Sequence, residues 1–145
     1  WLPAAEVGAE EMREVYETNV FGPVRMMRAF LPLLHRSAAP RVVMVSSGMG
    51  SITITSDPDR FESRLIGLPY LSSKTALNMI TSQYAKALPE FRINAVDPGY
   101  TATDLNGHRR VQTVTEGSDA IVALANVAPD EPTGGFFDRH GPVPW

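Results

Sequence analysis

Cysteine is absent from the chain, which excludes a disulfide scaffold and any thiolate metal site. That absence fits a reducing compartment, and a cytoplasmic location is expected. No apolar stretch approaches the ~18 residues of a membrane-spanning helix, and no basic-then-apolar opening marks a secretory leader. Positive charge is scarce: 13 Lys and Arg stand against 16 Asp and Glu, for a formal net charge of −3. Nucleic-acid binders usually carry a basic face and a pI above ~9, so that class is set aside. Only Lys74 and Lys86 are lysines. There is no internal repeat and no low-complexity tract. What remains is the composition of a globular domain, with 43% hydrophobic and 20% charged residues over 145 positions. The first residue is Trp rather than Met, so a processed or partial chain is expected.

Apolar residues from Met12 to Leu34 recur at three- and four-residue steps, which predicts a helix over 9–35 with one buried face. Gly22-Pro23 should kink it, because proline removes a hydrogen bond four residues back. Pro32 should kink or shorten its last turn. Arg41 to Ser47 is a short β-branched run without alternation, the pattern of a strand buried on both faces. Residues 48–69 read as a long polar loop. Tyr70 to Leu88 reads as a helix stopped by Pro89. Phe91 to Asp97 is a second buried-type strand closed by Pro98-Gly99. A helix over 115–127, capped by Thr115, a short strand over 134–138 and a tail from Gly141 follow. Helices alternating with strands predict an α/β fold on a parallel sheet.

Tyr70 and Lys74 lie one helical turn apart on one face. A cation there favours the phenolate and brings a Tyr acid/base towards working pH. A surface lysine beside a half-buried tyrosine has the same spacing. Ser46-Ser47 and Asp97-Pro98-Gly99 end two strands on the same rim of the sheet, where ligands bind in open α/β sheets. Asn19 stands inside a helix, where asparagine is intrinsically poor.

Four runs occur in order: Tyr-Glu-Thr-Asn-Val-Phe-Gly, Val-Val-Met-Val-Ser-Ser, Tyr-Leu-Ser-Ser-Lys and Ile-Asn-Ala-Val-Asp-Pro-Gly. Together they resemble the short-chain dehydrogenase/reductases, over essentially the whole chain. The long stretch before Tyr70 is similar to the carbonyl-reductase-like branch. The resemblance implies the C-terminal half of a Rossmann-type doubly wound sheet, with three strands and flanking helices. It implies an NAD(P)-dependent oxidoreductase passing hydride between a nicotinamide and a ketone, aldehyde or alcohol. Tyr70 would be the general acid/base and Lys74 would lower its pKa and hold the nicotinamide ribose. Ser47 would hold the substrate oxygen, and Asn19 a water in a proton relay. Pro98, Gly99, Thr101 and Thr103 would line the cofactor. NADP is favoured over NAD by resemblance alone. A homo-oligomer through the helices over 11–35 and 70–88 is implied too.

Two departures stand out. The spacing from Ser47 to Tyr70 is longer than usual, so 51–68 is expected to form a substrate-side flap. Arg60, Glu62 and Arg64 in it suit either a polar substrate or plain solvation. No Gly-rich strand–turn–helix and no ribose selector precede residue 9, so residues 1–145 are expected to be a partial domain lacking the dinucleotide-binding strands. An alternative follows from that lack: a non-catalytic module that associates with a partner reductase. His35, His108 and His140 share no ligand spacing, so no metal is assigned. Nothing resembles Gly-x-Ser-x-Gly, so Ser46 is no hydrolase nucleophile. The segment 100–110 reads either as a substrate lid or as a surface loop.

Overall fold

The computed structural model describes residues 2–102, 107 and 112–145. A 3-10 turn (Ala4–Glu6) precedes helix α1 (Ala9–Tyr16), which passes without interruption through a π turn (Glu17–Phe21) into α2 (Gly22–Leu34). The expected kink at Gly22-Pro23 appears as that π turn, just upstream. Pro23 has no N–H, and its ring crowds the carbonyl four residues back, that of Asn19. Widening the turn relieves the clash, and Gly22 N–H bonds instead to the carbonyl of Glu17. Pro32 lies inside α2, which still runs to Leu34.

Strand β1 (Arg41–Val45) follows, then α4 (Leu68–Ala87), β2 (Arg92–Val96), α5 (Val114–Ala125), β3 (Phe136–Asp138) and β4 (Gly141–Pro142). The sheet order is β1-β2-β3-β4. The first three strands are parallel, with Arg41 opposite Arg92 and Ala95 opposite Phe136. The expected C-terminal tail instead pairs antiparallel as a fourth strand, Asp138 opposite Gly141. Asp138 Oδ1 accepts from the backbone N–H groups of His140 and Gly141, which turns the chain back on itself.

Residues 48–69 are not one open loop. They form a 3-10 turn (Gly48–Gly50), a short helix α3 (Ile52–Ser56) and a second 3-10 turn (Phe61–Arg64). Ser51 caps α3 by accepting from Ile54 N–H at 3.1 Å. Helix α4 begins at Leu68, two residues before the expected start, because Pro69 is tolerated in a first turn whose N–H groups lack partners anyway. The cap of α5 is Thr113, not Thr115. Glu116 stands three residues after Thr113, and the two exchange hydrogen bonds as a capping box.

Alternation along β1 divides the core. Met44, with Val42 beside it, packs against Met27 of α2 and Leu77 of α4. Val43 packs on the other face, against Ala120 and Leu124 of α5. Phe91 and Ile93 complete the first layer and Val96 the second. Helices on both faces of a parallel sheet make this a partial doubly wound fold. Among the described residues no strand covers the outer edge of β1. Ser46 N–H bonds to Val96 and Pro40 accepts from Arg92, so the even-numbered residues face β2. The backbone groups of Arg41, Val43 and Val45 therefore face the open side. A groove of about 510 Å³ runs along that side, walled by Met26, Met27, Phe30, Val43 and Leu77.

Candidate functional site

The site is built where the carboxyl end of β1 meets the first turns of α4. β1 ends at Val45, so Ser46 and Ser47 stand just past it. Ser46 is 3% exposed and turns towards α4, where its Oγ donates to Asn78 Oδ1. Ser47 is half-buried, and its Oγ accepts from Met49 N–H at 3.2 Å, capping the Gly48–Gly50 turn. The turn lies backbone to backbone on α4: a Cβ at Gly50 would come within 2.8 Å of the Lys74 carbonyl carbon. The Gly50 carbonyl accepts from Thr75 Oγ1 at 2.9 Å and Asn78 Nδ2 at 3.2 Å.

Tyr70 and Lys74 occupy the same end of α4. Lys74 Nζ lies 5.6 Å from the centroid of the Tyr70 ring and donates to the carbonyl of Val45 at 3.0 Å. Burial pushes the Lys74 pKa down from its usual 10.5, because desolvation disfavours the ammonium. Asn19 reaches the same place from the π turn. Its Nδ2 donates to Ser73 Oγ at 3.1 Å, and Ser73 Oγ donates to the carbonyl of Tyr70 at 2.7 Å. Asn19, Tyr70 and Lys74 are thus gathered at the first turns of α4, and Ser47 sits in the Ser46–Gly50 segment that is bonded to the same helix. The groove along β1 reaches Asn19 and Lys74 but not Ser47 or Tyr70.

The second rim is close by. A Cβ at Gly48 would approach Asp97 Oδ2 to 2.7 Å, so the loops after β1 and β2 touch. Asp97 Oδ1 accepts from Gly99 N–H at 2.9 Å, and Gly99 takes φ +71°, a left-handed conformation that favours glycine. Gln112 Nε2 donates to the carbonyl of Pro98 and, at 3.0 Å, to Thr101 Oγ1. Thr101 packs directly on Gly117 of α5, where any side chain would overlap it. Thr103 lies outside the described residues, as does most of the segment expected to form a lid. The expected flap over 51–68 is folded: Ser51 is fully buried, and Arg60 pairs with Glu62 at 3.3 Å.

Sequence reasoning passed over Ser73, Thr75, Asn78 and Gln112. Ser73 and Asn78 do carry a legible trait, being polar residues on the core-facing side of a helix. Gln112 has no such mark, since it acts from an irregular segment.

A family model described as short chain dehydrogenase matches residues 2–113. The (+)-neomenthol dehydrogenase of Capsicum annuum is 34% identical over 94% of this chain and 54% of its own length. The chain thus spans about half the length of that relative. The C-signal protein of Myxococcus xanthus is 30% identical, and there the match covers 100% of this chain and 85% of that protein. Among solved structures, the NADPH-bound carbonyl reductase from chicken fatty liver superposes with a TM-score of 0.83 at 26% identity. That alignment covers 99% of this chain and 61% of the reductase.

Proposed function

Since the chain belongs to the short-chain dehydrogenase family, we propose that it is the catalytic half of an NAD(P)-dependent oxidoreductase acting on a small ketone, aldehyde or alcohol. The observation that carries this reading is the Tyr70–Lys74 face of α4 lying against the end of β1: Lys74 Nζ donates to the Val45 carbonyl, and the Ser46–Gly50 segment that carries Ser47 is bonded to the same helix. The similarity to an NADPH-bound carbonyl reductase favours NADP over NAD.

The residues present suit the nicotinamide end of such a cofactor. Lys74 spends one of its three donors on Val45 and keeps two for ribose hydroxyls. The Pro98-Gly99 turn, braced by Asp97 and Gln112, offers backbone on the same rim, and Thr101 stands beside it. No Gly-rich turn is present in these residues for the pyrophosphate. When bound, the nicotinamide supplies or accepts the hydride.

The chain's own groups manage the proton and the charge. Tyr70 gives its phenolic proton to the substrate oxygen in reduction and takes it back in oxidation. The Lys74 ammonium stands 5.6 Å from the centre of the ring that gives up the proton. Ser47 Oγ, held by the Met49 N–H, donates to the same substrate oxygen and stabilises charge there. Asn19, fixed to Ser73, leaves its backbone carbonyl without an i+4 donor because Pro23 has no N–H, and so offers an acceptor for a relay water near Lys74. In oligomers, the apolar side chains exposed on α2 and α4, Phe30 and Met79 among them, would be covered by another copy.

The test is Tyr70→Phe in the full chain, assayed by loss of reduced nicotinamide with a ketone panel. Turnover should fall by ~10²–10⁴-fold while cofactor binding is kept. Equal turnover in both forms would sink the reading. A second reading is favoured by one observation: the C-signal protein is matched over 85% of its length, so a family member of nearly this extent bears the name of a signal. On that reading the chain is a non-catalytic module that binds a partner. Turnover absent from both forms, with partner binding unchanged by Tyr70→Phe, supports it.

A further inference from the structure

We propose that Asn78 is a positioning residue that sets the distance between Ser47 and the Tyr70–Lys74 pair; this rests on the reductase reading above. Ser46 and Gly50 bracket the five-residue segment that carries Ser47, and Asn78 bonds to both. Ser46 Oγ donates to Asn78 Oδ1, and Asn78 Nδ2 donates to the Gly50 carbonyl at 3.2 Å. Asn78 and Ser46 are each 3% exposed, so no water shares the work from outside.

The residue type is dictated by the two partners. The Gly50 carbonyl can only accept, so the amide nitrogen must face it, which leaves the amide oxygen for the Ser46 hydroxyl. One short side chain has to present a donor and an acceptor about 2–3 Å apart, and asparagine does so. Aspartate keeps the size and the acceptor but loses the donor to Gly50. Leucine and alanine lose both, leaving the Gly50 carbonyl with Thr75 Oγ1 alone and the Ser46 hydroxyl with only a long 3.5 Å contact to the Lys74 carbonyl.

The placement along α4 turns this clamp into a ruler. Tyr70, Lys74 and Asn78 recur at four-residue steps and lie on one side of a single 20-residue helix. The phenol and ammonium are fixed to the same rod that holds both ends of the Ser47 segment. Thr75 Oγ1 adds a second donor to Gly50 and the Lys74 carbonyl a long 3.5 Å acceptor to Ser46, but among the described residues Asn78 alone has a side chain bonded to both. Misplacement of a reacting group by about 1 Å can cost ~10²-fold in rate.

The experiment compares Asn78→Asp, Asn78→Ala and Thr75→Val in the full chain, with NADPH and phenanthrenequinone as probes. In Asn78→Asp, kcat should drop by about 100-fold with KM for NADPH held within about twofold. Thr75→Val, which keeps the bridge, should stay within about threefold of the parent. Amide exchange is read in parallel: Met49, Gly50 and Ser51 should exchange at least about tenfold faster in Asn78→Ala, with Ala85 and Leu88 unchanged. Unchanged kcat in Asn78→Asp, or kcat and exchange throughout α4 moving together, overturns the proposal. A parent that reduces no quinone sinks the reductase reading by itself. The clamp then stands if exchange rises only at 49–51, and falls if it does not.

Discussion

Lys74 reaches from α4 to the carbonyl of Val45, 3.0 Å away, on the side of β1 that no described strand covers. One side chain therefore belongs both to the candidate site and to the open edge of the sheet. The ammonium stands where the N–H of a neighbouring strand would stand. Its burial lowers its pKa, and this gives the first prediction a definite sign. Between the lowered folded value and 10.5, the unfolded chain binds more protons than the folded one. Stability should therefore rise with pH across that window. Lys74→Met should flatten the rise, as followed by urea midpoints from neutral to alkaline pH. A slope unchanged by the substitution would contradict the assignment.

At the acidic end of the range Glu116 makes a second pH-dependent contribution to stability. Hydrogen bonds from the Thr113 backbone, then from Arg139 and from the Thr113 hydroxyl, hold its carboxyl below the usual 4.5. The stabilisation is present above 4.5 and is lost as pH falls through the lowered folded value. Thr113→Ala removes the cap of α5 and should cost about 1 kcal/mol at neutral pH. Thermal unfolding at pH 7 and at pH 3 should show the loss at pH 7 to be the larger.

Gly50 and Gly22 make a contrasting pair. A methyl group at Gly50 meets the backbone of Lys74 at 2.8 Å, and neither the turn nor the helix can yield cheaply. Gly50→Ala should destabilise by about 1–3 kcal/mol. At Gly22 the nearest atom is 3.5 Å away, an ordinary contact in a helix. Gly22→Ala should be neutral or stabilising by up to about 1 kcal/mol. Denaturant titration of both variants ranks them; the reverse order would refute the packing described.

The open edge predicts a pattern in amide exchange. The N–H groups of Val43 and Val45 face outward, while those of Val42 and Met44 face β2. The outward pair should exchange faster than their neighbours by about tenfold or more. Uniform protection along β1 would mean that something covers the edge in solution.

Much of this architecture was legible from residue patterns. The run Val42-Val43-Met44-Val45 reads correctly as a strand, but the expected burial on both faces does not hold: only Met44 is buried and Val45 is exposed, on a strand that no described strand covers on its outer side. Tyr70 and Lys74 read as neighbours because helical spacing is rigid. The misreadings came where local chemistry has two solutions. Thr113 and Thr115 are both caps by type, and only the reach of Glu116 decides between them. Gly141 and Pro142 look like tail residues because a two-residue strand has no period. Residues 48–69 look open because their short helices depend on the Ser51 cap and on the Gly48–Gly50 turn packing on α4. Asn78 is marked only as a polar residue on the core-facing side of a helix; its role was not legible because its partners, Ser46 and Gly50, lie some thirty residues earlier and no spacing rule links them.

The register of the sheet carries a kinetic consequence. Arg41 meets Arg92 and Ala95 meets Phe136, so each strand must wait for a long segment to close before it finds its neighbour. During that wait β1 offers its other side to any strand that arrives first. Recovery from denaturant is then a contest between a first-order closure and a second-order collision of chains, and dilution favours the closure.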